Sequence, residues 1–229
     1  MTGIISALKL EIEAIIEKME SRTDETVSGM TFWRGKIGGG EVVAAVCGVG
    51  KVFAAMCAQT MILKWNPSLI INVGVAGSLS DRLKVTDVIV ARSVVQHDMD
   101  TSPLGDAKGQ ISGINVVYMD CDSTAADKLA GCLRESGINY IEGTVASGDQ
   151  FICDPAKKEW IAKTFGASAC EMEGASIGQV CYVNKTPFAV LRAISDSADG
   201  EAHMSFPQFA AIAAKNSAET ITRYLKSFT

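Results

Sequence analysis

The sequence lacks a Cys-x-x-Cys pair, clustered histidines, a basic stripe and any apolar run approaching the roughly 20 residues of a membrane span. Its seven cysteines (47, 57, 121, 132, 153, 170 and 181) are odd in number and scattered. They speak against a disulfide framework and a zinc site, and fit reduced thiols in a cytosolic core. A formal net charge of −5 argues against nucleic acid or an anionic membrane as partner, because nothing gathers the cations that would neutralise phosphates. A small molecule or another protein is the expected partner. The opening residues Met1-Thr2-Gly3-Ile4-Ile5-Ser6-Ala7 carry no basic leader, so no signal peptide is expected and a cytoplasmic location is. No internal repeat, linker or low-complexity segment divides the 229 residues, and 48% hydrophobic content supports one large domain over residues 1–229.

What is present alternates between buried strands and helices. Residues 3–8 read as a strand feeding a helix marked by Ile12, Ile15, Ile16 and Met19, with Glu11 near the helix start, where an acid complements the dipole. Ser21 to Ser28 reads as a polar loop, and Met30–Ile37 and Glu41–Val46 as a hairpin around Gly38-Gly39-Gly40. Gly48-Val49-Gly50-Lys51 opens an apolar helix that runs through Trp65 to Asn66-Pro67. A glycine turn there can hold an anion, but it lacks the Walker spacing. Its Met56, Met61 and Ile62 serve equally as core or as an interface.

Leu69–Val73 reads as a buried strand, with Gly74-Val75-Ala76-Gly77-Ser78 as the turn at its carboxyl end and no Rossmann fingerprint. Asp87–Val95 is another strand. His97, Asp98 and Asp100 then open a long polar loop to Gly113, in which acids and imidazole read as solvated rather than as a metal site. A helix over 123–136 is capped by Ser123 or Thr124. A strand over 140–146, a helix over 155–165, and a closing helix from near Ser205 with Phe209, Ile212, Ile221, Tyr224, Leu225 and Phe228 on one side complete an α/β chain.

The densest chemistry lies in Ala169-Cys170-Glu171-Met172-Glu173-Gly174-Ala175 and in Leu191-Arg192-Ala193-Ile194-Ser195-Asp196. If 169–173 are extended, the period of two aims Glu171 and Glu173 at one place. The second stretch is a buried strand with Arg192 in its middle and Ser195-Asp196 at its carboxyl end, where open α/β sheets bind ligands. Glu173 opening a surface helix and pairing with Arg192 is the plainer alternative.

With Gly3-Ile4-Ile5-Ser6-Ala7, Gly48-Val49-Gly50-Lys51 and Ser147-Gly148-Asp149-Gln150-Phe151-Ile152, these stretches resemble the methylthioadenosine/S-adenosylhomocysteine nucleosidases of the nucleoside phosphorylase superfamily over nearly the whole chain. The resemblance implies a three-layer α/β/α sandwich around a mixed, twisted, phosphorylase/hydrolase-like sheet, a homodimer, no metal and no organic cofactor. It implies Glu11 as the base that activates water and Asp196 as the acid that protonates adenine's imidazole-side nitrogen, with Ser195 holding Asp196. It places Phe151 against the base, the Ile152 backbone at its edge, Met172 and Glu173 on the ribose, Arg192 behind Glu173 and the water, and Phe206 along an apolar wall at the 5′ substituent. Leu104, Asp106 and Ser112, in the loop from Asp98 to Gly113, would line the 5′ pocket of a neighbouring subunit.

The chemistry asks for such residues independently. Adenine anion is a poor leaving group, so it must gain a proton as the sugar becomes oxocarbenium-like. An unperturbed aspartate, with a reference pKa near 3.9, is protonated only about one part in a thousand at neutral pH. The two acids therefore need different environments. Val75 stands where the better-known nucleosidases have serine, a residue that helps hold phosphate in phosphorylases, and the arginines that accompany it there are not evident. Asp106 and Ser112 make the 5′ pocket look more polar than is common. Hydrolysis of 5′-modified adenosines is the leading expectation. A purine nucleoside phosphorylase, a nucleoside-binding protein without chemistry and, more distantly, a dinucleotide oxidoreductase are the alternatives.

Overall fold

The computed structural model describes residues 1–196 and 202–227, except the side chains of 202–208, 210, 211 and 213. Ten strands form one mixed sheet. Along the chain these are β1 (Thr2–Ser6), β2 (Glu20–Val27), β3 (Met30–Ile37), β4 (Gly40–Val46), β5 (Leu69–Ser78), β6 (Val88–Gln96), β7 (Tyr118–Asp120), β8 (Tyr140–Ser147), β9 (Ala167–Glu171) and β10 (Phe188–Asp196). The helices are α1 (Lys9–Glu17), α2 (Lys51–Trp65), α3 (Ser123–Glu135), α4 (Pro155–Phe165), α5 (Gly174–Asn184) and α6 (Ala202–Lys226).

The strand order is β2-β3-β4-β1-β5-β9-β8-β6-β10, with β7 beside β6, and β10 also pairs with β5. That last pairing closes β5, β9, β8, β6 and β10 into a ring, and removes edges an open sheet would leave exposed. The mixed sheet and its covering helices agree with the three-layer expectation; the closure is additional to it. Helices α1 and α3 pack with α6 over one face, and α2 packs with α5 over the other. Two apolar cores lie there, one around Ile4, Ile12, Ile71 and Leu191 and the other around Ile5, Met61, Val94 and Ile177, and a third, smaller one around Val95, Ile152, Ile161 and Phe165 lies under α4. All nine residues of β10 are buried, as a strand covered on both faces requires.

Several local expectations need correction. Residues 20–27 form an edge strand, not a loop, and pair antiparallel with β3 across Ser28-Gly29, both of which have positive φ. Neither face of β2 is buried in the core, so it shows no alternation of apolar residues, and its charges suit an unpaired edge. The glycine-bearing segment 74–78 continues β5 rather than ending it, because Val75 to Gly77 still pair with β10. The cap of α3 is Asp122, whose carboxylate accepts the Ala125 N–H at 2.8 Å. In α2, Met61 and Ile62 are core residues while Met56 is exposed. Helix α6 begins before Ser205 and runs through Pro207; its Ile212 is exposed, and Phe228 lies outside the described residues.

This topology sets the place for chemistry. Strands β1, β5 and β10 are parallel neighbours, so Ser6, Gly74–Val75 and Ser195–Asp196 come to the same end of the sheet. Strand β9 runs antiparallel to β5 in the register Gly77 to Cys170, which carries Glu171 back toward Gly74.

Candidate active site

At that end a cavity of about 290 Å³ is lined by Glu11, Val75, Phe151, Ile152, Met172, Glu173, Ser195 and Asp196, together with Leu8, Glu171 and Cys170. Eight residues singled out in the sequence are thus brought to one place from five separated segments. Arg192 is not in the lining; it is 1% exposed and lies behind it. Leu104, Asp106 and Ser112 also lie outside the lining. Leu104 is 85% exposed, and Asp106 is engaged in its own loop, accepting from Thr101 Oγ1 at 2.7 Å, Gln110 Nε2 at 3.1 Å and Ser112 Oγ at 3.3 Å. Phe206 lies in α6, with its side chain outside the described residues.

Glu11 sits in the first turn of α1 and is 3% exposed. Its carboxylate accepts the Ser6 hydroxyl at 2.6 Å and the Leu8 N–H at 2.9 Å on one oxygen, and the Val75 N–H at 3.0 Å on the other. The Leu8 contact is the reach-back of an acid at the third helical position to its N-cap, so the local rule for helix starts also aims the carboxylate into the cavity. Asp196, at the end of β10, accepts the Ser195 hydroxyl at 2.6 Å. The two acids are held by different partners on neighbouring strands.

Strand β9 ends at Glu171, so Glu173 is the N-cap of α5 rather than an extended residue; the two carboxylates converge through the turn instead of sharing one strand face. Glu171 accepts the Ser147 hydroxyl, the Glu173 N–H at 2.9 Å, the Gly174 N–H and the Arg192 guanidinium. Arg192 also donates to Asn72 and stands 3.6 Å from Glu173. Burial would discharge Arg192, and the charges of Glu171, Glu173 and Glu11 more than offset it, so it stays a cation.

Glu173 is in the opposite position. Burial, and secondly the charge of Glu171, push its carboxyl up to about 7 despite Arg192 and a 2.9 Å hydrogen bond from the Gly50 N–H. The glycine turn expected to hold an anion therefore holds this chain's own carboxylate. Cys170 is no nucleophile candidate, since burial pushes its thiol well up.

Gly74 explains how so many groups reach one point. A Cβ there would stand 2.1 Å from Arg192 Nη1 and 2.9 Å from Glu11 Oε1. Among the described residues no three acidic, cysteine or histidine side chains gather as a metal site; Asp98 is paired with Lys51 and Asp100 with Lys108. Sequence reasoning gave no role to Ser6, Asn72 or Ser147, and saw Glu171 only as half of an acidic pair. Isolated small polar residues in apolar strands were their only signal.

Residues 2–226 match the family described as the phosphorylase superfamily. The chain is 35% identical to the 5′-methylthioadenosine/S-adenosylhomocysteine nucleosidase of Shewanella sediminis over 98% of each protein. Its fold resembles the nucleosidase from Neisseria meningitidis solved with methylthio-immucillin-A, with a TM-score of 0.96 at 34% identity over 99% of this chain and 98% of that one. It also resembles the futalosine hydrolase of Helicobacter pylori, with a TM-score of 0.94 at 34% identity over 100% of this chain and 97% of that one.

The buried Arg192–Glu171 pair carries a stability test. Removing one partner strands a buried charge, so Glu171→Gln and Arg192→Met are each expected to cost about 3–5 kcal/mol in urea unfolding. The double variant should cost clearly less than their sum. Additive losses would show that the two side chains are not coupled.

Proposed function

The chain belongs to the phosphorylase superfamily, and on that premise we propose that it hydrolyses the N-glycosidic bond of 5′-modified adenosines, among them methylthioadenosine and S-adenosylhomocysteine, releasing adenine. The observation that carries hydrolysis over phosphorolysis is the charge of the cavity. Glu11, Glu171, Glu173 and Asp196 line it, and among the described lining residues there is no lysine or arginine. A phosphate dianion entering there would find acids and no described lining cation to hold it, whereas a neutral water needs none.

In the proposed mechanism Phe151 stacks on adenine and the Ile152 backbone reads its edge. Asp196, oriented by Ser195, gives its proton to the imidazole-side nitrogen as the bond to ribose lengthens. Glu173 accepts hydrogen bonds from the ribose hydroxyls beside Met172, and the acidic wall favours the positive charge that develops on the sugar. Glu11, with one oxygen held by Ser6 and Leu8 and the other by the Val75 N–H, takes the proton of the attacking water. Val75 contributes its amide to this arrangement. A hydroxyl at 75 is not needed to hold Glu11.

The chain as a single domain and a homodimer are part of the same proposal. Val52, Phe53, Met56 and Leu63 of α2 and Tyr182 and Val183 of α5 are exposed, and the two helices pack together. An apolar surface of that kind calls for a covering partner. A second copy would cover it and bring the loop of Leu104, Asp106 and Ser112 to the neighbouring cavity. Because Asp106 is spent within the loop, Leu104 is its apolar offering to a 5′ substituent.

Purified protein is expected to release adenine from methylthioadenosine without added phosphate, and Asp196→Asn and Glu11→Gln should each lower kcat by about 100-fold or more with the fold intact. Near-normal turnover in either variant would refute these roles. A strict need for phosphate would make the protein a phosphorylase.

The raised carboxyl of Glu173 has its own signature. Ribose binding uses the ionised form, so kcat/KM should fall as pH drops below about 7. Glu173→Gln should be slower at every pH and lack that limb; a limb that persists in the variant belongs to another group. Sedimentation at micromolar concentration should give twice the mass of one chain, and a monomer would remove the shared-pocket proposal.

A further inference from the structure

Three segments with no covalent connection near the site are tied together beside it. Lys51, at the start of α2, donates from Nζ to Asp98 Oδ1 at 2.7 Å. Asp98, in the loop after β6, accepts the Asp149 N–H at 2.9 Å on its other oxygen. Asp149, in the loop after β8, accepts the Lys51 N–H at 2.7 Å. The three residues close a triangle in which each contact is charge-assisted. Gln96 supports it from β6, accepting from the Lys51 ammonium at 3.1 Å, and the Ser176 hydroxyl of α5 donates to the Lys51 carbonyl at 2.6 Å.

The triangle is built, not incidental. Gly50 has a φ of +100°, which favours glycine, and a Cβ there would stand 3.0 Å from Asp149 Oδ1 and press on the carboxylate at the helix start. Burial would raise the Asp98 carboxyl, but the Lys51 hydrogen bond and the Asp149 N–H hold it below its usual range, so it stays ionised. Beneath the same loop lies the buried His97 ring: a Cβ at Gly148 would stand 2.4 Å from it. The loop is thus stopped from sinking by His97 and held from the side by Asp98 and Lys51. One residue beyond Asp149, that loop enters the cavity as Gln150, Phe151 and Ile152.

We propose that Lys51 and Asp98 are positioning residues for base recognition: they touch no substrate, and they fix the loop through Asp149 so that Phe151 and the Ile152 backbone meet the purine. The inference rests on the nucleosidase reading for the identity of the base. It also divides labour within one helix start. The Gly50 N–H serves Glu173 on the ribose side, and Lys51 serves the base side.

The consequence is a loss of binding that leaves the chemical step largely intact. In Lys51→Met the KM for methylthioadenosine and the inhibition constant of adenine should both rise about 10-fold, the scale of one lost charge-assisted hydrogen bond, with kcat changed much less. Lys51→Arg should restore part of the loss. Asp98→Asn, which breaks the same ion pair from the other side, should reproduce it, and the acid limb near pH 7 should be unmoved in all three variants. Unchanged KM and adenine inhibition in Lys51→Met and Asp98→Asn would overturn the proposal, as would an equal fall in kcat and kcat/KM. Calorimetric binding of adenine to the same proteins separates this from the parent reading. A wild-type chain that binds adenine but releases none from any nucleoside refutes the nucleosidase, while a roughly 10-fold weaker adenine affinity in Lys51→Met still upholds the clamp.

Discussion

The rest of the site depends on one cation that has been taken out of water. Arg192 lies in the middle of a strand buried on both faces, and a guanidinium there is tolerable only if its charge is met by close partners. Glu171 and Asn72 both accept from its Nη2, with Glu173 beyond hydrogen-bonding range, while its Nε has no hydrogen-bond partner among the described residues. Glu171 passes the constraint on, because the same carboxylate accepts the first N–H groups of α5 and the Ser147 hydroxyl. One buried pair thereby fixes β10 to β9, β5, β8 and the start of α5. Glu173 inherits its position from that arrangement, between a cation that favours its charge and an anion that opposes it.

Around this hub the acids are given different surroundings. Glu11 is met by three donors from β1, its own helix start and β5, and Asp196 by the neighbouring serine hydroxyl. Anionic side chains are also gathered by a helix start: the turn at Gly50–Lys51 holds Glu173 through one amide and Asp149 through the next. An anion site that resembles a nucleotide cradle in sequence is here internal scaffolding, joining the start of α2 to the start of α5 and to the loop after β8.

Much of this was legible in the sequence where a residue's chemistry clashed with its surroundings. Two acids in an apolar stretch, an arginine inside a buried strand and a serine-aspartate pair at a strand end all pointed to the cavity that the fold assembles. Less legible were features set by distant partners. Nothing in the spacing of Glu171 says that it, and not Glu173, takes the arginine, because the strand ends one residue after Cys170 for reasons of pairing with β5 and β8. Strand β2 lacks a buried face and so lacks a pattern. Asp106 looked like a polar pocket wall, and only the folded loop shows its oxygens already taken by Thr101, Gln110 and Ser112. The glycines at 74 and 77 read as a turn because glycine usually marks one. At 74 the residue instead makes room for the arginine and for Glu11 within a continuing strand.

In the proposed site Glu11, Glu173 and Asp196 surround one nucleoside. The most direct test of that arrangement is a crystal structure of the Asp196→Asn protein soaked with methylthioadenosine. The expected result is an intact nucleoside in the cavity, its ribose hydroxyls within hydrogen-bond distance of Glu173, its base against Phe151, and a water on Glu11 facing the anomeric carbon. A nucleoside whose ribose turns away from Glu173, or whose anomeric carbon lies out of reach of any water on Glu11, would contradict it.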